Sequence, residues 1–212
     1  MESRPQISKS PTILFTMARG FLSQLVTPAV ADAQERYYGI SSRRVLSPQE
    51  DPLTSRETEF ISDRDSFYIS SVGETGWPYI QHRGGPKGFL HVLSPVELAF
   101  ADYKGNRQML SVGNVSTNDR TCLFLMDYPN KTRLKIIGRT QVLDARKHPE
   151  LVHALAPSGL QPSVERIFKI SVVSYDWNCP QYITPRFSEE EIEQAVVPLK
   201  DRISELENQL KQ

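Results

Sequence analysis

Two short basic clusters carry most of the chemistry this chain could perform. The first is Lys104-Gly105-Asn106-Arg107-Gln108-Met109. A glycine followed by an amide, a guanidinium and a second amide, at a strand-to-helix junction, gathers hydrogen-bond donors in a small volume. Phosphate monoesters are held in such places, by backbone N–H groups at a helix start and by a planar fork that grips two oxygens. Each charge-assisted hydrogen bond contributes about 1.5–3 kcal/mol, so two or three would retain a small phosphorylated ligand. By spacing alone, however, a Gly-Asn-Arg turn is more often a plain surface loop. The second cluster is Gln81-His82-Arg83-Gly84-Gly85-Pro86-Lys87-Gly88. Here an arginine closes a strand, and a glycine pair lets backbone approach a ligand closely. No Gly-Lys-Ser or Gly-Lys-Thr follows, so it is not a Walker loop, and an ordinary hairpin is the simpler account of it. His82 and His91 have no partner acid or cysteine placed by the sequence. Cys122, inside the apolar run Thr121-Cys122-Leu123-Phe124-Leu125-Met126, reads as a small core residue, and Cys179 as a more accessible one. Neither has metal-ligand spacing.

The elements that must position these clusters read as short strands. Residues 67–72 are aromatic and β-branched. Gly73-Glu74-Thr75-Gly76 is a hairpin turn, and residues 78–83 form the returning strand. Further strands are expected at 89–93, 97–101, 121–127, 133–143 and 167–177, with a helical segment or turn at 106–114 and a short helix at 149–156. Short strands joined by tight turns, without crossover helices, point to a mainly β fold, a closed antiparallel barrel. Residues 29–38 are helix-compatible, whereas 43–57 are polar, contain two prolines and read as a loop. In the tail, Ile192, Val196, Leu199, Ile203, Leu206 and Leu210 recur at alternating steps of about four and three, the seam of an amphipathic helix. Ser188 with Glu190 and Glu191 starts it, and Pro198 predicts a kink or break. Such a helix either covers the barrel or forms a short coiled coil between subunits. The expected organisation is an N-terminal extension with helical segments (1–60), a barrel (61–180) and a helical tail (181–212).

Composition narrows the partners. The 25 basic residues cancel the 25 acidic ones, so no global field draws nucleic acid or an anionic membrane, and any anion site is local. No apolar run approaches the ~20 residues needed to span a bilayer. Two cysteines make no disulfide framework, which fits a reducing compartment such as the cytoplasm. The N-terminus, with Arg4, Lys9, Arg19 and a single acid, Glu2, also permits a mitochondrial leader, against the alternative of a segment packed on the domain.

Taken in order, several stretches are specific. Phe67-Tyr68-Ile69-Ser70-Ser71-Val72, Gly76-Trp77-Pro78-Tyr79-Ile80-Gln81-His82-Arg83-Gly84-Gly85, Gly105-Asn106-Arg107-Gln108, Asn118-Asp119-Arg120 and Arg133-Leu134-Lys135-Ile136-Ile137-Gly138 resemble the pyridoxamine 5′-phosphate oxidase-like split-barrel family, closest to its flavin-nucleotide-binding branch. Asp176-Trp177-Asn178-Cys179-Pro180-Gln181 also resembles that branch, and the likeness covers most of residues 35–205. The resemblance implies a six-stranded antiparallel split barrel that binds FMN between the two subunits of a homodimer. It implies phosphate contacts from Arg83 and Lys87, then from Asn106, Arg107 and Gln108 with Ser111 nearby, and a ring contact from Arg133, supplied across the dimer. The Arg-Lys pair usual in the oxidases reads Arg107-Gln108 here, so one positive charge is missing. The C-terminal arginine–histidine pair that binds substrate in true oxidases has no counterpart after residue 153, which argues against vitamin B6 oxidation. What remains is a flavin-dependent oxidoreductase of unknown small-molecule substrate, a non-catalytic flavin carrier or sensor, or a split barrel binding haem or another cofactor. Trp177 and Tyr182 are candidate ring neighbours, with plain packing the simpler account of Trp177.

Overall fold

Alternation builds the central sheet. In the computed structural model, which describes residues 19–39, 50–177 and 180–210, Phe67, Ile69 and Ser71 of β1 (Ser66–Val72) are buried while Tyr68 faces out. The same period runs through β2 (Pro78–Gly84), β5 (Arg120–Asp127) and β6 (Thr132–Asp144). With β3 (His91–Ser94), β4 (Glu97–Tyr103) and β7 (Val164–Trp177) they form one sheet in the order β2-β1-β5-β6-β7-β4-β3. Every neighbouring pair is antiparallel. The sheet has seven strands, as many as the segments the sequence pattern marks out, and one more than the six that the resemblance implies. β3, expected over 89–93, is a four-residue edge strand interrupted by a bulge between Val92 and Ser94.

The sheet curls until its two halves meet. The ring of Phe67 on β1 lies 5.3 Å from that of Phe100 on β4, although three strands separate them in the hydrogen-bonded order. Among the described residues no ladder joins the β2 edge to β3 or β4, so the barrel is split there and closed by side chains. Phe67, Leu98, Phe100, Leu123, Leu125, Leu134, Ile136, Phe168 and Ile170 fill the interior. β4 is buried on both faces: Leu98 and Phe100 point inward, while Ala99 and Ala101 pack with Ile167 and with Leu155 of α5 (Pro149–Leu155). At the bulge in β6, a Cβ on Gly138 would stand 2.7 Å from the Ser171 carbonyl oxygen, so this position needs glycine.

Helices close the exterior. α1 (Arg19–Leu25) lies against β7: Phe21 is buried, and Asp51 accepts hydrogen bonds from the Gly20 amide (3.0 Å) and the Ser174 hydroxyl (2.6 Å). α2 (Pro28–Tyr38) follows, capped by Thr27 and ended by Gly39 in the left-handed region. α3 (Ser55–Ser62) begins inside the stretch expected as a loop. Thr54 and Glu57 form a reciprocal capping box, and Leu53 and Ile61 join the main core. Trp177 belongs to this packing: its Nε1 donates to Glu57 (2.6 Å), and its ring meets Phe60 edge-on at 4.9 Å. α4 (Leu110–Thr117) follows β4, and α6 (Glu189–Leu210) is the tail helix. α6 does not end at Pro198, so of the expected kink or break there is no break. Residues 1–18, the loop expected over 43–49, and Cys179 lie outside the described residues. No described helix is long and apolar enough to cross a membrane.

Candidate functional site

One cleft lies at the split. Tyr79, Gln81 and Arg83 of β2 reach it because residues two apart share a face. Asp102 and Tyr103 end β4 on its other side, Arg166 comes from β7 in register with Asp102, and residues 105–112 form the rim. The cleft encloses about 190 Å³.

Asp102 organises its floor. This buried carboxylate accepts from Arg83 Nη1 at 2.5 Å and from Arg166 Nε at 2.8 Å. Arg166 also pairs with Glu165 at 3.0 Å. Burial works against the Arg166 charge, but Asp102 and Glu165 outweigh it and hold the guanidinium above its ordinary range. Arg83 lies over the rings of Phe168 (5.1 Å) and Phe100 (5.7 Å), and its Nε is buried without a hydrogen-bond partner. Two guanidinium groups, those of Arg83 and Arg166, thus meet on Asp102, with Glu165 beside Arg166, while Arg107 lines the cleft from its exposed rim.

The rim is built from unusual backbone. Arg107 and Met109 both have φ of 60°, in the left-handed region that non-glycine residues seldom occupy. The Gln108 amide donates to Asn106 Oδ1 at 3.2 Å, which tightens this double turn. Met109 caps α4 without any side-chain hydrogen bond, so the first amides of the helix are left for the cleft. Ser111 is buried, and its hydroxyl donates to Gln81 Oε1 at 2.8 Å. Partial burial also raises the Tyr103 phenol above its usual range. The arrangement suits an anion: an arginine at the exposed rim, two more anchored below it on Asp102, and helix amides with no side-chain cap.

Of the residues singled out by sequence, Arg83, Asn106, Arg107, Gln108 and Ser111 line this cleft together. Lys87 does not. Its amine pairs with Asp63 at 2.7 Å on the exposed surface, beside other concavities. Arg133 is also absent from the lining. It neighbours inward-facing Leu134 on β6, so alternation turns it to the outer sheet face, where its Nε is buried and unpaired. Cys122, read as core, is only half-buried, on that same outer face, and burial pushes its thiol up. His82 lies on the outer face of β2 against Tyr68, and Tyr182 is almost fully exposed, so neither reaches the cleft. Asp102 and Arg166 had no assigned role in the sequence. Gln81 was readable, two residues before Arg83 on an alternating strand. Arg166, 64 residues from Asp102 in the chain, gave no local signal.

The sequence profile of the family described as pyridoxamine 5′-phosphate oxidase matches residues 53–173, more than half of the 212-residue chain. The chain belongs to that family. The matched span runs from Leu53 through the barrel to β7 and includes every residue of the cleft. No curated protein matches. Among solved structures, the chain is similar to HupZ of Group A Streptococcus at 9% identity and a TM-score of 0.46, over 64% of this chain and 100% of that one. It is similar to a protein of Clostridium acetobutylicum related to general stress protein 26, with 16% identity, a TM-score of 0.43 and coverage of 65% and 94%. An FMN-binding protein of Syntrophomonas wolfei matches at 9% identity and a TM-score of 0.45, over 57% of this chain and 83% of that one.

Proposed function

We propose that this chain binds FMN, with the phosphate in the cleft at the barrel split, and acts as a flavin-dependent oxidoreductase distinct from the vitamin B6 oxidases. One observation carries the reading. Arg83 near the end of β2 and Arg107 in the turn after β4 line the same cleft beside the open start of α4. A phosphate monoester fits there because planar guanidinium forks grip two of its oxygens at once. Arg166 offers the charge that Gln108 does not.

The cleft is smaller than the roughly 300–1,000 Å³ that encloses a whole small molecule. In this reading it takes the phosphate and leaves the ring outside, to be covered by a second copy of the chain. Arg133 then meets the flavin only from that second copy. The bound flavin would supply the electron transfer, while the chain's residues bind, orient and shield it.

Two measurements test the proposal. The purified protein should carry, or take up, the yellow absorption of oxidised flavin, and Arg107→Ala should weaken FMN binding by at least ~1.5 kcal/mol, more than tenfold in Kd. Lys87→Ala should leave the affinity unchanged. Protein that stays colourless with added FMN sinks the flavin reading. Flavin that binds but is neither reduced by NADPH nor reoxidised in air leaves a carrier or sensor in its place.

A further inference from the structure

The tail helix presents an apolar seam that the described residues of its own chain leave mostly uncovered, with only Val196 half-buried. α6 is 22 residues long, about 33 Å, and none of its side chains is buried. Ile192, Leu199, Ile203 and Leu206 are more than two-fifths exposed, and Leu210 more so. An isolated helix with an interior proline has little stability of its own, since proline costs about 3 kcal/mol there and helices depend chiefly on packing. Something must cover this face.

The order of residue types in the seam says what. Set in heptads, Val196, Ile203 and Leu210 take the a positions, and Ile192, Leu199 and Leu206 the d positions. The central four positions, Val196 and Ile203 at a with Leu199 and Leu206 at d, carry the pattern that favours a parallel, two-stranded coiled coil, while Ile192 and Leu210 at the ends depart from it. In that arrangement the g residue of one helix meets the e residue of the next heptad on the other. Arg202 at g then faces Glu207 at e of the second helix, an attractive pair, and Ala195 faces Lys200 without repulsion. Pro198 falls at c, away from the seam, so its ring does not obstruct the contact. The helix start is fixed by a capping box: the Ser188 amide donates to Glu191 (2.7 Å), and the Glu191 amide to the Ser188 hydroxyl (3.2 Å).

We infer that α6 pairs in parallel with α6 of a second copy of this chain. The inference shares a second copy of the chain with the flavin reading, but no α6 residue lines the cleft, so α6 crosslinking and FMN uptake can fail separately. The seam is short, so the full chain is the object to test. Leu206→Cys, at d, should give a covalent species of twice the chain mass on mild oxidation. Asp201→Cys, at f, should give at least tenfold less, with the unsubstituted chain setting the background from Cys122 and Cys179. Ile203→Asp should raise the dimer dissociation constant at least tenfold while the barrel's melting temperature stays unchanged. Equal crosslinking from Leu206→Cys and Asp201→Cys, or an unchanged dissociation constant, would overturn the inference and point to a seam folded onto its own barrel or taken by another protein.

Discussion

Asp102 sets the character of the cleft. A carboxylate this deeply buried survives ionised only with close counter-charges, and it has two, Arg83 and Arg166. The relation is mutual, because each guanidinium, about one-sixth exposed, relies on Asp102 in turn. Asp102→Ala should therefore lower stability by about 3 kcal/mol, the low end for breaking a buried pair, read as a drop in the urea midpoint at unchanged slope. It should not weaken binding of inorganic phosphate, since the substitution removes negative charge from the cleft. Loss of phosphate affinity together with stability would mean that Asp102 positions Arg83 rather than merely balancing it.

At the scale of elements, the α3 cap carries a pH signature. Burial raises the Glu57 carboxyl, but hydrogen bonds from Thr54 and Trp177 outweigh that and hold it below its ordinary 4.5. A carboxyl depressed by folding adds stability that is fully present above the unfolded value and is lost as pH falls through the folded one. Wild-type protein should thus lose its advantage over Glu57→Gln as melts are taken from pH ~5 down to pH ~3. A difference that stays constant across that range would remove Glu57 from the account. The cap was legible in the sequence, as Thr54 followed by Glu57, yet the prolines and polarity of residues 43–57 outweighed it and suggested a loop. The strands were legible because their alternation is a direct imprint of one buried face. The turn at Arg107 and Met109 was not, because left-handed backbone at an arginine and a methionine is imposed by neighbours and has no signature in residue type.

For the molecule as a whole, what escaped the sequence was the set of pairings that only the curled sheet creates. Arg83 and Lys87 stand four residues apart and were read as one cluster, but the chain sends Arg83 into the cleft and Lys87 to Asp63. Arg166 reaches the cleft only because β7 runs beside β4. The same curling leaves β2 bonded to a single neighbour, β1, and clasped on its free side by side chains alone. A strand held in this way peels more readily than one paired on both sides. Its amides should exchange with deuterated solvent faster than those of β5 and β6, which have partners on both sides. An anion laced from Arg83 to Arg107 would stitch that free margin shut, so FMN should slow exchange in β2 more than anywhere else in the barrel. The place where the polypeptide breathes most easily would then also be the door by which its ligand enters.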